Sequence, residues 1–523
     1  MVERDYDVAI IGGGHNGLVA AAYLAKAGKK VIVLEKLEGL GGAAVSERTF
    51  PGVDANLSRY SYLVSLLPKQ IIDDLGLDLT LAPRRYGSYT PEPGTNRGLL
   101  IDKHDESVTK DSFQSIGAAE DFDSWNEFYA RTEELAKKLF PTVLEPLKRQ
   151  TEVRELIGEE LWNEFFVNPI GKSVAKNFKS DLVRGVVLTD ALIGTFAANE
   201  DANLDANKCF LYHVIGNETG EWQIPVGGMG SISSAMAASA ADFGAELKTN
   251  SEVIAITEDR TVTFVEVGDE KSISADFVLV NVAEPVLNKL LGRHTRHNIQ
   301  GAQVKVNMLL KRLPKLKSRV EPEKAFGGTF HINENFSQLQ KAFDDASSGK
   351  IPDPLPLEIY CHSITDPSIL GDKLQKSGAQ TLTAFVLHTP HALLENSDHD
   401  LMRKLFQDAV IESINSVLDE DISSLLIQDI DGNPCIETKT TQDLENSLGL
   451  PGGNIFHAPL SWPFAKDQED LGSAEKRWGV STGYPHIYYC GSTSVRGGAV
   501  SGIGGHNAAM AVLEETNNNL SSK

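Results

Sequence analysis

Gly12, Gly14 and Gly17 fall within the run Gly-Gly-Gly-His-Asn-Gly at residues 12–17, and Glu35 follows 18 residues after the last of them. That spacing suits a main-chain cradle for the pyrophosphate of a dinucleotide. Gly12 permits a tight turn, Gly14 lets a phosphate touch backbone, Gly17 lets helix and strand pack closely, and the acid accepts from both hydroxyls of an adenosine ribose. The same carboxylate repels a 2′-phosphate, which disfavours an NADP-type ligand, although Lys36 beside it softens that repulsion. His15 and Asn16 lie inside the cradle and are candidate contacts. A second run of small residues, Gly41, Gly42, Ala43 and Ala44, lets main chain lie against another part of a long ligand. Near the other end, Gly491 and Ser492 close an apolar stretch, and Gly497, Gly498, Ala499, Val500, Ser501 and Gly502 open a helix. The chemistry these residues suit is redox. A flavin that accepts a hydride gains negative charge near N1 and the C2 carbonyl, where a helix N-terminus stabilises it. His457, shortly before the last glycine region, is the candidate catalytic side chain, since imidazole titrates in a useful range.

Such residues need elements to hold them. Residues 8–11 form a short, continuously apolar run that predicts a buried parallel strand, and residues 18–25 predict a helix apolar on nearly every face. Gly28 ends that helix, residues 31–34 predict a second buried strand, and Glu35 stands at its carboxyl end. A strand and glycine turn recur at residues 487–491, with a helix from Val500 to about Glu515 and a polar, frayed tail beyond. Cradles at both ends of the chain, with a glycine doublet between, suit FAD held along its whole length better than a diffusible NAD.

With 523 residues the chain is too long for one core. The pattern predicts an α/β fold, a Rossmann-like FAD-binding domain with an inserted α+β substrate domain. Its parts are residues 1–104, 221–289 and 455–523 for the cofactor, a helical cap at 105–220 and a mixed-sheet substrate domain at 290–454. The aromatic stripe Phe122, Trp125, Phe128 and Tyr129 reads as core of the cap. An alanine-rich helix is expected at 232–243, and strands at 252–256, 261–267, 277–282, 302–310 and 379–388. The balance of 49 basic against 72 acidic residues, net −23, makes nucleic acid an unfavourable partner and leaves membrane contact to a local peripheral patch. The four cysteines are far apart and lack a redox or metal-finger spacing. No apolar run approaches a membrane span and the first strand starts close to Met1, so a cytoplasmic protein is expected.

The segments Gly-Gly-Gly-His-Asn-Gly-Leu-Val-Ala-Ala-Ala-Tyr-Leu (12–24), Leu-Gly-Gly-Ala-Ala-Val-Ser-Glu (40–47), Ser-Arg-Tyr-Ser-Tyr-Leu-Val-Ser-Leu-Leu (58–67), Gly-Gly-Asn-Ile-Phe-His (452–457) and Tyr-Cys-Gly-Ser-Thr-Ser-Val-Arg-Gly-Gly-Ala-Val-Ser-Gly (489–502) resemble the phytoene-desaturase-like flavoproteins. The resemblance is greatest to the branch called pyridine nucleotide-disulfide oxidoreductase domain-containing protein 2. It implies non-covalent FAD, a fold shared with amine oxidases and oxidation of apolar, lipophilic small molecules. It places Gly12, Gly14, Gly17, Glu35, Gly41 and Gly42 on the ADP half, Val253 on the adenine side, and Gly491, Val500, Ser501 and Gly502 along ribityl and flavin. The dithiol of disulfide reductases is missing, which excludes thiol–disulfide relay chemistry. Gly228-Met-Gly230 is followed by Ser233 where a second dinucleotide motif needs glycine. The expected reaction is hydride transfer from a substrate C–H to flavin N5, with dioxygen, a quinone or another acceptor restoring the oxidised flavin. A flavin amine oxidase and a non-catalytic, FAD-stabilised interaction protein are the alternatives. No metal is expected: His294 with His297 and His388 with His391 have helical spacing but no third ligand, and Gly171-Lys172-Ser173 imitates a phosphate loop whose first glycine is Phe166.

Overall fold

The computed structural model describes residues 4–293 and 296–521. His294 lies outside the described residues. Two seven-stranded sheets organise the chain. In the first, parallel strands run in the order Ile487–Tyr489, Asp269–Val280, Tyr6–Ile11, Val31–Leu34, Glu246–Lys248, with Val8 opposite both Phe277 and Val31. The apolar runs are unbroken because both faces are covered. Val8, Ile10, Val31 and Val33 pack under the helices His15–Lys26, Met229–Asp242 and Ile503–Ser521. Ala9, Ile11, Ile32 and Leu34 pack beneath Ile256, Val262 and Phe264. These last come from a meander: Ser251–Ile256 pairs antiparallel with Thr261–Glu266, which pairs with the first half of Asp269–Val280. The sheet is therefore a doubly covered Rossmann-like layer.

The second sheet runs Ile436–Lys439, Val304–Leu310, Gln380–Val386, Leu357–Tyr360, Thr329–Ile332, Tyr86–Pro91, Gly98–Asp102. It is mixed, since Thr329–Ile332 pairs parallel with Tyr86–Pro91 and the other pairs are antiparallel. The hairpin Tyr86–Asp102 corrects the expected boundary at residue 104: it forms the edge of the substrate sheet. Its strands bury Ser88, Tyr89, Thr90, Leu99, Leu100 and Asp102, and Tyr89 stacks on Phe330 at 5.7 Å, which draws the hairpin onto that sheet. A helical layer, including Glu106–Ser115, Asp121–Leu139 and Asp181–Leu188, covers one face, with Phe122 and Phe128 buried and Trp125 and Tyr129 packed on them. Helix His399–Asn415 covers the other face through Phe406, Val410 and Ile414.

The last helix differs from expectation by continuing to Ser521 instead of fraying after Glu515. Glu514 accepts from Arg477 and from Trp478 Nε1, and Glu515 accepts from the Tyr488 hydroxyl, so the helix is tied to the body just before its last turns. All four cysteines are buried free thiols. No helix among the described residues is long and apolar enough to cross a membrane.

Candidate cofactor and substrate site

A cavity of about 530 Å³ lies where the carboxyl ends of the first sheet meet the second sheet and the helical layer. Gly12, Gly14, His15, Asn16, Glu35 and Lys36 line one end. Gly42, Ala43, Val253, Ser492, Val500 and His457 also face it. Gly17, Gly41, Ala44, Gly491, Ser501 and Gly502 do not; they shape the wall from behind. A Cβ on Gly17 would collide with the Gly12 carbonyl, and one on Gly41 (φ +122°) would meet Ser233 Oγ at 2.6 Å. The Ala44 carbonyl accepts from Ser233 Oγ at 2.6 Å. A side chain on Gly491 would run into Asn281, and one on Gly502 would touch Val19 at 3.0 Å. Ser501 is buried, its hydroxyl accepting from Ile503 N at 3.2 Å.

The cradle is held by few atoms. Gly13 N donates to Glu35 Oε2 at 2.8 Å and Leu37 N donates to Oε1 at 2.9 Å, which fixes the carboxylate at the cavity edge. Gly41 N donates to Gly13 O at 2.8 Å, bringing the doublet against the first turn. Asn281, which sequence reasoning missed, donates from Nδ2 to Gly12 O at 3.2 Å and stands 2.9 Å from where a Cβ on Gly14 would be. Its signal was a polar residue directly after an apolar strand. The two chain ends are joined by a hydrogen bond from His15 Nε2 to Ala499 O at 3.1 Å. Burial pushes His15 down to about 4, so its imidazole is a neutral donor. Asn16 is buried at the cavity wall and neither polar atom of its side chain has a protein partner. A wall of backbone too close for side chains, a fixed carboxylate and an unsatisfied amide together fit a dinucleotide.

The other end is apolar and aromatic, with Leu63, Leu66, Ile193, Tyr212, Trp222 and Phe385. Lys305 enters it from Val304–Leu310 and was also missed. Its Nζ donates to Ser58 O at 2.7 Å and Ser61 O at 3.0 Å and lies over the Tyr62 ring at 5.6 Å. Among the described residues no carboxylate hydrogen-bonds to it, and burial, opposed only in part by the charge of Glu437, pushes it down to about 7. Arg59 and Lys439, at the cavity margin, share Glu437 at 2.7 and 3.2 Å. His457 faces the cavity with φ +67° and shares a hydrogen bond with Thr493 Oγ1 at 3.3 Å. Burial, reinforced by neighbouring His15, pushes it down to about 4, so the expectation that it titrates near neutrality is corrected.

Arg496 is a further residue that sequence reasoning missed. It is fully buried at φ +68°, and its Nη1 donates to Thr142 O at 2.9 Å and Glu145 O at 2.8 Å, pinning the C-terminal glycine run to the helical layer. A charged residue within Gly-Ser-Thr-Ser-Val-Arg-Gly-Gly was its signal. Gly171-Lys172-Ser173 sits inside helix Ile170–Asn177, with Ser173 Oγ donating to Glu164 O at 3.2 Å. His388 is buried with both ring nitrogens unpartnered, and burial pushes it down to about 3, while His297 is exposed.

Residues 17–314 match the family described as flavin containing amine oxidoreductase. The chain is 50% identical to an uncharacterized protein of Mycobacterium tuberculosis over 98% of this chain and 97% of that one. It is 31% identical to pyridine nucleotide-disulfide oxidoreductase domain-containing protein 2 of Rattus norvegicus, covering 99% of this chain and 95% of the rat protein. Among solved structures, wild-type putrescine oxidase bound to putrescine superposes with a TM-score of 0.53 at 15% identity, covering 99% of both chains.

Proposed function

The chain belongs to the flavin containing amine oxidoreductase family, and on that premise we propose that it oxidises an uncharged, apolar small molecule, as phytoene-desaturase-like enzymes do, in preference to a polyamine. It is an FAD-containing oxidoreductase. Bound FAD supplies a hydride acceptor for a substrate C–H bond. Gly12, Gly14, Asn16, Glu35, Gly42 and Val253 would hold the ADP half, with Val500 along ribityl and flavin.

The observation that carries the substrate reading is the charge of the wall. Among the described residues lining the cavity the carboxylates are Glu35 and Glu252, both on the first sheet's side, whereas the apolar end carries Lys305. An ammonium group brought there would lose its water with no carboxylate to receive it and would face the Lys305 amine, which repels it whenever protonated. A neutral hydrocarbon-like group loses little by entering, and the aromatic wall excludes water from it. Positioning against the flavin site then does most of the work. Lys305 Nζ, when unprotonated, would take the proton lost from the carbon next to the one that gives up the hydride, so that a C=C bond forms between them, while neutral His457 orients the cavity edge through Thr493.

Anaerobic mixing tests this. Polyenes and cyclic terpenes are expected to bleach the oxidised flavin absorbance, with putrescine and cyclohexylamine leaving it unchanged. Bleaching by the amines alone, followed by hydrogen peroxide release in air, overturns the apolar reading in favour of an amine oxidase, which the family description and the putrescine oxidase fold support.

A further inference from the structure

The inner face of the second sheet carries polar side chains that this chemistry does not use. Strand pairing sets Lys305 opposite Phe385, Phe385 opposite Glu358, and Glu358 opposite His331, so these four share one row across the sheet. The row begins at the cavity with Lys305 and ends inside the protein, away from the cavity lining. Glu334, just past strand Thr329–Ile332, turns back to place Oε2 2.6 Å from His331 Nδ1. Thr189, from the helical layer, donates to Glu358 Oε1 at 3.0 Å. Side chains of this cluster are almost sealed: His331 is 4%, Glu334 0% and Glu358 2% exposed.

Buried carboxylates need a compensating charge or full hydrogen bonding. Arg84 is the guanidinium nearby, but its hydrogen bonds go to Thr329 Oγ1 at 2.8 Å and Trp222 O at 3.2 Å instead of to the acids. Among the described residues Glu334 Oε1 is buried with no hydrogen-bond partner. Asp190, next to Thr189 on the helical layer, is a third acid that feels the charge of both Glu358 and Glu334. One ligand atom each from His331, Glu334 and Glu358 lie within 4.8 Å of one another.

We propose that His331, Glu334 and Glu358 form a binding site for one divalent first-row metal ion, such as Zn²⁺ or Mn²⁺, with Asp190 as the neighbouring carboxylate. An imidazole nitrogen beside carboxylate oxygens favours these ions over Ca²⁺ and Mg²⁺, which take oxygen alone. The ion would neutralise the acids, satisfy Glu334 Oε1 and brace the helical layer against the sheet. It would also steady the cavity wall, because Tyr360, whose hydroxyl donates to Glu358 Oε2, stacks at 4.7 Å on cavity-lining Tyr62.

The experiment strips the full-length protein of metal by unfolding it in chelator and refolds it with FAD and either Zn²⁺ or Mn²⁺. Elemental analysis after gel filtration is expected to find about one ion per chain, with a higher Tm than the metal-free, FAD-loaded protein. His331→Ala and Glu334→Gln should lose the ion while keeping bound flavin. The proposal is overturned if refolded wild type, yellow and with full flavin, holds less than about a tenth of an ion per chain and its Tm is unmoved by either metal. It is equally overturned if His331→Ala retains the ion. Should the variants fail to fold, the wild-type measurement decides alone.

Discussion

At the end of the cavity beside the first sheet a ligand meets main chain: Gly12, Gly14 and Gly42, with Glu35 held by two backbone N–H groups. At the end beside the second sheet it meets side chains: Lys305, Tyr62, Phe385 and the aromatic cap. The first region is limited by volume, because an added Cβ meets neighbouring main chain at Gly12 and Gly42 and the Asn281 amide at Gly14. The second is limited by charge, because a buried amine must be held by carbonyls and kept close to neutrality. Substitutions should therefore fail differently in the two regions, by excluding cofactor in one and by silencing chemistry in the other.

Gly17→Ala is the harshest test of the volume side. Its methyl would collide with Gly12 O and sit 3.1 Å from Asn281 Nδ2. Overpacking of about 1–3 kcal/mol or more falls on the cradle, so flavin per chain should drop about tenfold or further, read from the ratio of flavin to protein absorbance. Gly28→Ala is the matched control: its φ of +80° brings strain, but no atom lies within 4 Å of the added carbon, so flavin should stay bound. Equal flavin loss in both would show that general destabilisation, not the cradle, is being measured.

Lys305→Met probes the charge side. Flavin content should hold while kcat/KM falls by about 10²–10⁴-fold. The sign of the pH dependence follows from the group's role. A lysine acting as base works only unprotonated, so wild-type kcat/KM should rise as pH increases through about 7 and then level off. The variant should lose that rise. A profile of unchanged shape in the variant would hand the base's role to another group and leave Lys305 a packing residue.

Glu35→Gln sits between these. An amide keeps one acceptor and loses the charge that Gly13 N and Leu37 N now share. FAD should bind about 10–100-fold more weakly, by titration of the flavin-free protein, with kcat little changed once the site is filled. A large fall in kcat at saturating flavin would mean that the cradle governs more than affinity.

The same contrast explains what could be read in advance. Gly12, Gly14 and Glu35 could be placed at one end of the cavity because the need for absent side chains writes itself into local spacing, and the two chain ends could be paired because each shows a strand, a glycine turn and a helix. Gly17, Gly491, Ser501 and Gly502 carry the same residue types, yet they stand behind the cavity lining, and spacing does not distinguish front from back. Lys305, Glu358 and His331 were illegible for a different reason: they are far apart in the chain and become neighbours only through strand register. Their local trace is faint. Lys305 and Asn307 break an otherwise apolar strand at alternate positions, a pattern that reads as an exposed edge until both faces prove buried. The hairpin Tyr86–Asp102 was misplaced likewise, since its partner strand begins at Thr329.

The mildest prediction concerns the residue where the two materials overlap. Ala499 follows Gly497 and Gly498, lines the cavity, and adopts φ +62°, a region that costs a residue with Cβ about 1–2 kcal/mol. Its carbonyl accepts from His15 Nε2, so its backbone joins the chain ends whatever its side chain does. If that backbone is all the region needs, Ala499→Gly should keep flavin affinity within about a factor of three, because relief of strain and the greater freedom of unfolded glycine nearly cancel. If the methyl itself packs against the flavin, affinity should fall about four- to tenfold, since losing one buried carbon costs about 0.8–1.4 kcal/mol. The residue is partly buried and packs against the hydrophobic core of the helical layer. Flavin titration of this one variant therefore asks whether side-chain packing from the second region reaches across the cavity into the backbone-built one, and the larger loss would shift the border between the two toward the first sheet.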